Sequence, residues 1–149
     1  MSTFKVCAII LDYFGADKTE ACLRSLIGQG LDTICVVDNS AHPDASANLQ
    51  AAVDHLRTRA DYKIEVLSPG ENLGFAKGVN YALRHEANSE SPHDYYLLIN
   101  NDAVAGPGLV GGLLAALERD PQTALAAPRV ASSDPIREYG IWYHRYLGL

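Results

Sequence analysis

The sequence predicts an α/β fold: a mostly parallel sheet layered between helices. Two observations carry that expectation. Short continuous apolar runs alternate along the chain with longer amphipathic stretches, the pattern of repeated strand, helix, strand units. Polar residues gather where each apolar run stops, as they do at the carboxyl edge of a parallel sheet.

Each element follows in order. "FKVCAIIL" (4–11) reads as the first strand and "ADKTEACLRSLIGQG" (16–30) as a helix, with Ala21, Cys22, Leu23, Leu26 and Ile27 near helical spacing and a glycine at its end. "TICVVD" (33–38) is a second strand and "ASANLQAAVDHLRTRA" (45–60) a second helix. "YKIEVL" (62–67) is a third strand, followed by a helix over "FAKGVNYALRHEA" (75–87). The polar connection "ANSESPHD" (87–94) leads to a fourth strand, "YYLLI" (95–99). The second and fourth strands are apolar at successive positions, as expected of strands covered on both faces. Pro107 opens a fourth helix through Leu117.

Composition narrows the function. A chain of 149 residues with 48% apolar content suits one domain with a real core. Its net charge is −6 and no Lys/Arg run exceeds two residues, so it carries no electrostatic footprint for nucleic acid. The amino-terminal apolar stretch before Asp12 is too short and too weakly flanked for a signal peptide or membrane span, and the expected location is cytoplasmic, with peripheral membrane contact as the alternative. Cys7, Cys22 and Cys35 have no CxxC spacing, so they are expected as reduced, buried thiols rather than a disulfide framework or zinc site.

The strand ends hold the candidate site. The first run ends at Asp12-Tyr13, the second at Asp38-Asn39-Ser40, the third runs into "SPGENLGFAKGVN" (68–80), and the fourth ends at Asn100-Asn101-Asp102. Neither GxGxxG nor GxxxxGK[ST] follows the first strand, which argues against nicotinamide cofactors and P-loop chemistry. Asp38 suits a ribose or base edge, with an Asx-turn or helix cap as the lesser alternative. Asp102 can offer oxygen to Mg²⁺ or Mn²⁺, a cation whose shell waters and substrate phosphates would complete.

The ordered set "AIILDY" (8–13), "VVDNS" (36–40), "NLGFAKGVN" (72–80), "LLINND" (97–102), "PG" (107–108) and "AAPRV" (126–130) resembles glycosyltransferase family 2, the inverting enzymes of the GT-A fold. The Asn-x-Asp form of the fourth motif is most similar to the rhamnosyltransferase-type branch. The resemblance implies a three-layer, Rossmann-like nucleotide-diphospho-sugar transferase, with a UDP-, dTDP- or GDP-linked donor and a glycan or lipid-linked acceptor. It puts Tyr13 against the nucleobase by ring packing, the Leu11–Tyr13 backbone and Asp12 beside it, and Asp38 on base or ribose. The loop would close on the sugar through Asn72 and Asn80, with Gly74 and Gly78 allowing close approach. Asn100-Asn101-Asp102 would be the metal and diphosphate motif, with Asp102 on the metal and Asn100 next to ribose or sugar. Asn72 and Asn80 also read as loop-bracing amides, and Lys77 as either a phosphate contact or a solvated cation.

The chain departs from the family in two places. Phe14 stands where the family commonly has Asn. No motif between Ala103 and Leu149 matches the family's general base; Asp134 and Glu138 fall where connecting chain is expected, so neither is assigned. The implied layout is a nucleotide-sugar-binding part over 1–130 and an aromatic tail over 131–149. Tyr139, Trp142, Tyr143 and Tyr146 there fall at i, i+3, i+4 and i+7, a face for the domain's own core, for a missing acceptor half, or for a second copy or partner. A non-catalytic nucleotide-sugar-binding module is the alternative function. A receiver-like signalling domain is a distant third, because Asp12 has no neighbouring acid and "AAPRV" offers Arg129 in place of the expected Lys.

Overall fold

Strand residues alternate between the two faces of a sheet, so a strand whose every side chain is apolar must be covered on both. β2 (Thr33–Asp38) shows this in full, with all six residues buried, and in β1 (Val6–Asp12) only Leu11 is less than buried. These two strands form the centre of a four-stranded sheet completed by β3 (Lys63–Leu67) and β4 (Tyr95–Leu98), in the order β3-β2-β1-β4. Every pairing is parallel. A computed structural model of the chain describes residues 4–89, 91–120 and 122–129. It falls into two units, Met1–Val110 and Gly111–Leu149.

The helices follow from the same alternation. Cys7, Ile9, Cys35 and Val37 point to one face, where they form a core with Leu67 and with Ala82 of α3 (Gly74–Ala87). Residues of opposite parity, among them Ile10 and Val36, are equally buried on the other face. There α1 (Ala16–Ser25) and α2 (Pro43–Arg57) pack on each other, burying Cys22, Leu23, Leu49, Val53 and Leu56. Helices on both faces of a parallel sheet make the three-layer α/β architecture. From β1 the chain steps outward through β2 to β3, then returns through α3 to place β4 on the far side of β1. The strand order therefore reverses between β1 and β4, the point at which such sheets open a crevice at their carboxyl edge.

The elements match their sequence-based expectations except at the ends. α1 stops at Ser25 instead of running to 30, because the chain turns away through Gly28 and Gly30, both at left-handed φ (77° and 79°). α2 begins two residues early, at Pro43, whose fixed φ and missing N–H suit the first helical turn. One expectation is corrected. β4 is not covered on both faces: Tyr96 and Leu98 are exposed, and the strand lies at an edge of the described sheet. The fourth helix, α4, spans Leu109–Arg119 instead of starting at Pro107.

Candidate active site at the carboxyl edge

Asp12 closes β1 in register with Asp38 of β2, so two carboxylates stand side by side at the end of the sheet. Both are buried. Such groups need partners, and the neighbouring elements supply them. Thr19, fully buried in α1, donates its hydroxyl to Asp12 Oδ1 at 2.6 Å and accepts the amide of Asn101 at 3.1 Å. Asn101 Nδ2 also reaches Asp12 Oδ1 at 3.5 Å, and Ser40 donates to Asp12 Oδ2 at 3.4 Å. One carboxylate thus ties together β1, α1 and the segments that follow β2 and β4. Gly15 has to be glycine for this contact, since a Cβ there would stand 2.7 Å from Asn101 Nδ2.

Asp38 is engaged in the same way. Its Oδ1 accepts the backbone N–H of Ser40 at 3.0 Å and its Oδ2 the hydroxyl of Ser46, which bridges to the first turns of α2. Asn39, a residue that the sequence does not single out, is also buried. It donates to Gly74 O at 3.1 Å and accepts from Leu73 N at 3.3 Å, pinning the start of α3 to the end of β2. Asn72 Oδ1 accepts Gly74 N at 2.8 Å, an Asx-turn. Gly74 is required by its φ of 65°, with no atom near a Cβ, whereas Gly78 lets α3 approach Leu11 and Asn39.

A second set of side chains faces outward. Tyr13 and Phe14 are more than half exposed and meet edge to face at 4.9 Å, with His42 5.9 Å from Phe14. Phe14 takes a left-handed φ of 50°, uncommon for a non-glycine, and Ser40 Oγ accepts its N–H at 3.0 Å. Asn80, Asn100 and Asp102 are exposed, and among the described residues the Asp102 carboxylate has no hydrogen-bond or ion-pair partner. At the ends of β1 and β4 lies a crevice of about 240 Å³, walled by Leu11, Phe75, Val79 and Leu98 and rimmed by Asn100, Asn101 and Asp102. A larger hollow of about 530 Å³ between α1 and α2 is lined by Phe14, Ala45, Ala51 and Ala52 and by the acids Asp17 and Glu20, the latter paired to Arg24 and His55; it takes no lining residue from β1 or β4. Its place at the strand-order reversal, with Asp102 on its rim, makes the smaller crevice the stronger candidate.

The model of the family described as Glycosyl transferase family 2 matches residues 7–146. The chain belongs to glycosyltransferase family 2. No curated protein matches it. As a family 2 glycosyltransferase it is of nucleotide-sugar donor type, and the reversal between β1 and β4 is the Rossmann-like arrangement expected of a GT-A fold. The receiver-like alternative falls with this membership.

Membership also frames the division seen at the edge. Of the residues that the sequence nominates, Asp12, Asp38 and Asn101 turn inward, while Tyr13, Asn72, Asn80, Asn100 and Asp102 are at the surface. Leu11 walls the crevice. An exposed carboxylate with no partner among the described residues fits a hard divalent cation that keeps most of its shell for water and phosphate. Asp134, Glu138 and the aromatic tail lie outside the described residues. No helix among the described residues is long and apolar enough to cross a membrane.

Proposed function

We infer that the chain binds a nucleoside-diphosphate sugar in the crevice between β1 and β4 and transfers the sugar, with inversion, to a hydroxyl of a glycan or lipid-linked acceptor. The observation that carries this is Asp102: an exposed carboxylate, without a hydrogen-bond or ion-pair partner among the described residues, at the switch point of a family 2 sheet. Mg²⁺ or Mn²⁺ at Asp102 offsets charge on the diphosphate leaving group when bound. Tyr13 packs its ring on the base, Asn100 contacts ribose or sugar, and Asn72 and Asn80 line the loop side. Asp12, Asp38 and Asn101 act as positioning residues that hold the edge in shape. α3 adds electrostatic support. Its first turn has no acid, whereas those of α1 and α2 carry Asp17 and Asp44, so its amino-terminal dipole and the exposed Lys77 favour phosphate.

In this reading residues 1–130 bind the donor and residues 131–149 begin the acceptor side or form an interface. The Asn-x-Asp form of the motif favours a rhamnosyltransferase-like donor, a deoxyhexose. Calorimetric titration with UDP, dTDP and GDP, each with and without Mn²⁺, tests the reading. Metal-dependent binding of one of them, abolished in Asp102→Ala, is the expected result. Binding that survives Asp102→Ala removes that residue from the site. A folded chain that binds none of the three favours the interaction-module alternative.

A further inference from the structure

Two cysteines 28 positions apart meet in the core beneath α3. Cys7 of β1 and Cys35 of β2 lie on the same sheet face, where Cys35 pairs with Ile9, and their sulfurs are 3.9 Å apart. Glu86, in the last turn of α3, joins them, with Oε1 3.0 Å from Cys35 Sγ. Both thiols are fully buried and Glu86 is only 3% exposed. The three ligand atoms all lie within 4.8 Å of one another. His93, in the turn before β4, stands behind Glu86, with Nδ1 2.7 Å from Glu86 Oε2 but outside the set that the two sulfurs and the Glu86 oxygen form. Its side chain is 9% exposed, and that nitrogen lacks an aligned hydrogen-bond partner.

A carboxylate and an imidazole are costly to sink among apolar side chains as mere packing. Beside two thiols they form the donor set of a borderline-soft cation. Two thiolates bound to tetrahedral zinc stand about 3.8 Å apart, close to the observed 3.9 Å. A sulfur and a carboxylate oxygen in the same shell are separated by about 3.5 Å, so the Cys35–Glu86 contact has only to open slightly. A shorter sequence spacing is unnecessary, because the parallel register of β1 and β2 brings the sulfurs together.

We propose that Cys7, Cys35 and Glu86 hold one zinc ion and that His93 swings in from behind Glu86 to complete its shell, tying β1, β2, α3 and the turn before β4 together. Cys7 and Cys35 bind as thiolates, Glu86 through an oxygen and His93 through Nδ1; the two thiol protons leave to solvent as the metal enters. A neighbouring group, Glu65 and His85 with the same Glu86, lies nearer the surface. The Lys63 ammonium already sits on Glu65 and disfavours a cation there. Sulfur ligands select zinc over the Mg²⁺ or Mn²⁺ suited to Asp102, which separates the two sites chemically.

The test is titration of the metal-stripped chain with Co²⁺, then displacement by Zn²⁺, with folding followed by circular dichroism. One cobalt per chain is expected, with thiolate-to-cobalt charge-transfer absorption and the strong visible bands of a four-coordinate ion, erased by one equivalent of zinc. A stripped chain that unfolds and refolds on adding zinc supports the site equally. Glu86→Gln and His93→Ala lower zinc affinity at least about tenfold. Asp102→Ala leaves the cobalt spectrum unchanged, so this outcome is independent of donor binding. A folded wild-type chain without thiolate–cobalt absorption overturns the proposal, as does a spectrum that persists in the Cys7→Ala/Cys35→Ala double variant.

Discussion

Thr19 shows how much one hydroxyl can organise. It gives its proton to Asp12 and accepts from Asn101, so it connects a carboxylate at the end of β1 with the middle residue of the Asn-Asn-Asp segment. Thr19→Val keeps the volume and removes both bonds. It should lower unfolding free energy by about 1–3 kcal/mol, because a buried carboxylate loses its shortest donor, and urea unfolding checks the value. Donor binding should also weaken, since Asn101 would be free to turn and Asp102 is its neighbour. Asp102→Ala should do the reverse, weakening metal-dependent binding with the urea midpoint unchanged, because an exposed side chain without partners among the described residues contributes little to stability. Cys22 senses the same corner: burial and then the Asp102 charge push its thiol up to about 11. That Asp12, Asp38 and Asp102 stand at strand ends is legible in the sequence. Which of them turns inward is not, because it depends on strand register and on Thr19 and Ser46, polar residues that look like ordinary helix positions until the fold sets them beside a carboxylate.

Among elements, α3 is the one whose placement depends most on backbone conformation. It starts at Gly74 with φ of 65°, is held there by Asn39 and Asn72, and passes Leu11 closely at Gly78. Gly74→Ala should cost about 1–2 kcal/mol, the penalty of a left-handed residue with a Cβ. The urea midpoint should fall, and nucleotide affinity with it, since Asn72 and Lys77 flank the turn. The motif "NLGFAKG" marks this loop in the sequence, but there both glycines carry the same expected task, close approach. The structure separates them: Gly74 serves φ and Gly78 serves packing. β4 departs from expectation for a related reason. A run of apolar residues reports hydrophobicity, not whether a neighbour covers it, and at this edge of the described sheet Tyr96 and Leu98 stay exposed. The Cys7–Cys35 approach is equally hidden, since pairing register cannot be read from two strands separated by a helix.

At the scale of the molecule, pH should define a stability plateau with two shoulders. Glu20, chiefly through His55, and Glu65, chiefly through Lys63, are held below the ordinary 4.5, so their contribution is present above that value and lost as pH falls through the lowered values. Both pairs are exposed enough for the acid shoulder to be shallow. Cys22 works in the opposite sense. Its raised value leaves the fold unpenalised below the ordinary 9.0 and costs stability as pH rises from there to about 11. Urea midpoints measured from pH 3 to 11 should trace this shape, and Cys22→Ala should make the alkaline shoulder shallower without removing it, because the buried Cys35 thiol and Tyr62 hydroxyl are raised as well. The cross-tie at Asp12 has a consequence in time as well as energy. Strand ends ordinarily fray, exchanging amide hydrogens through local openings far more often than the whole chain unfolds. Here the last residues of β1 are bound to α1 and to the segments after β2 and β4, so they cannot open one at a time. Hydrogen exchange should find the amide of Asn39, bonded to Asp12 O, protected as long as those of mid-strand Val36 and Ile10. The surface that would meet substrate would then keep its shape until the chain unfolds as a whole.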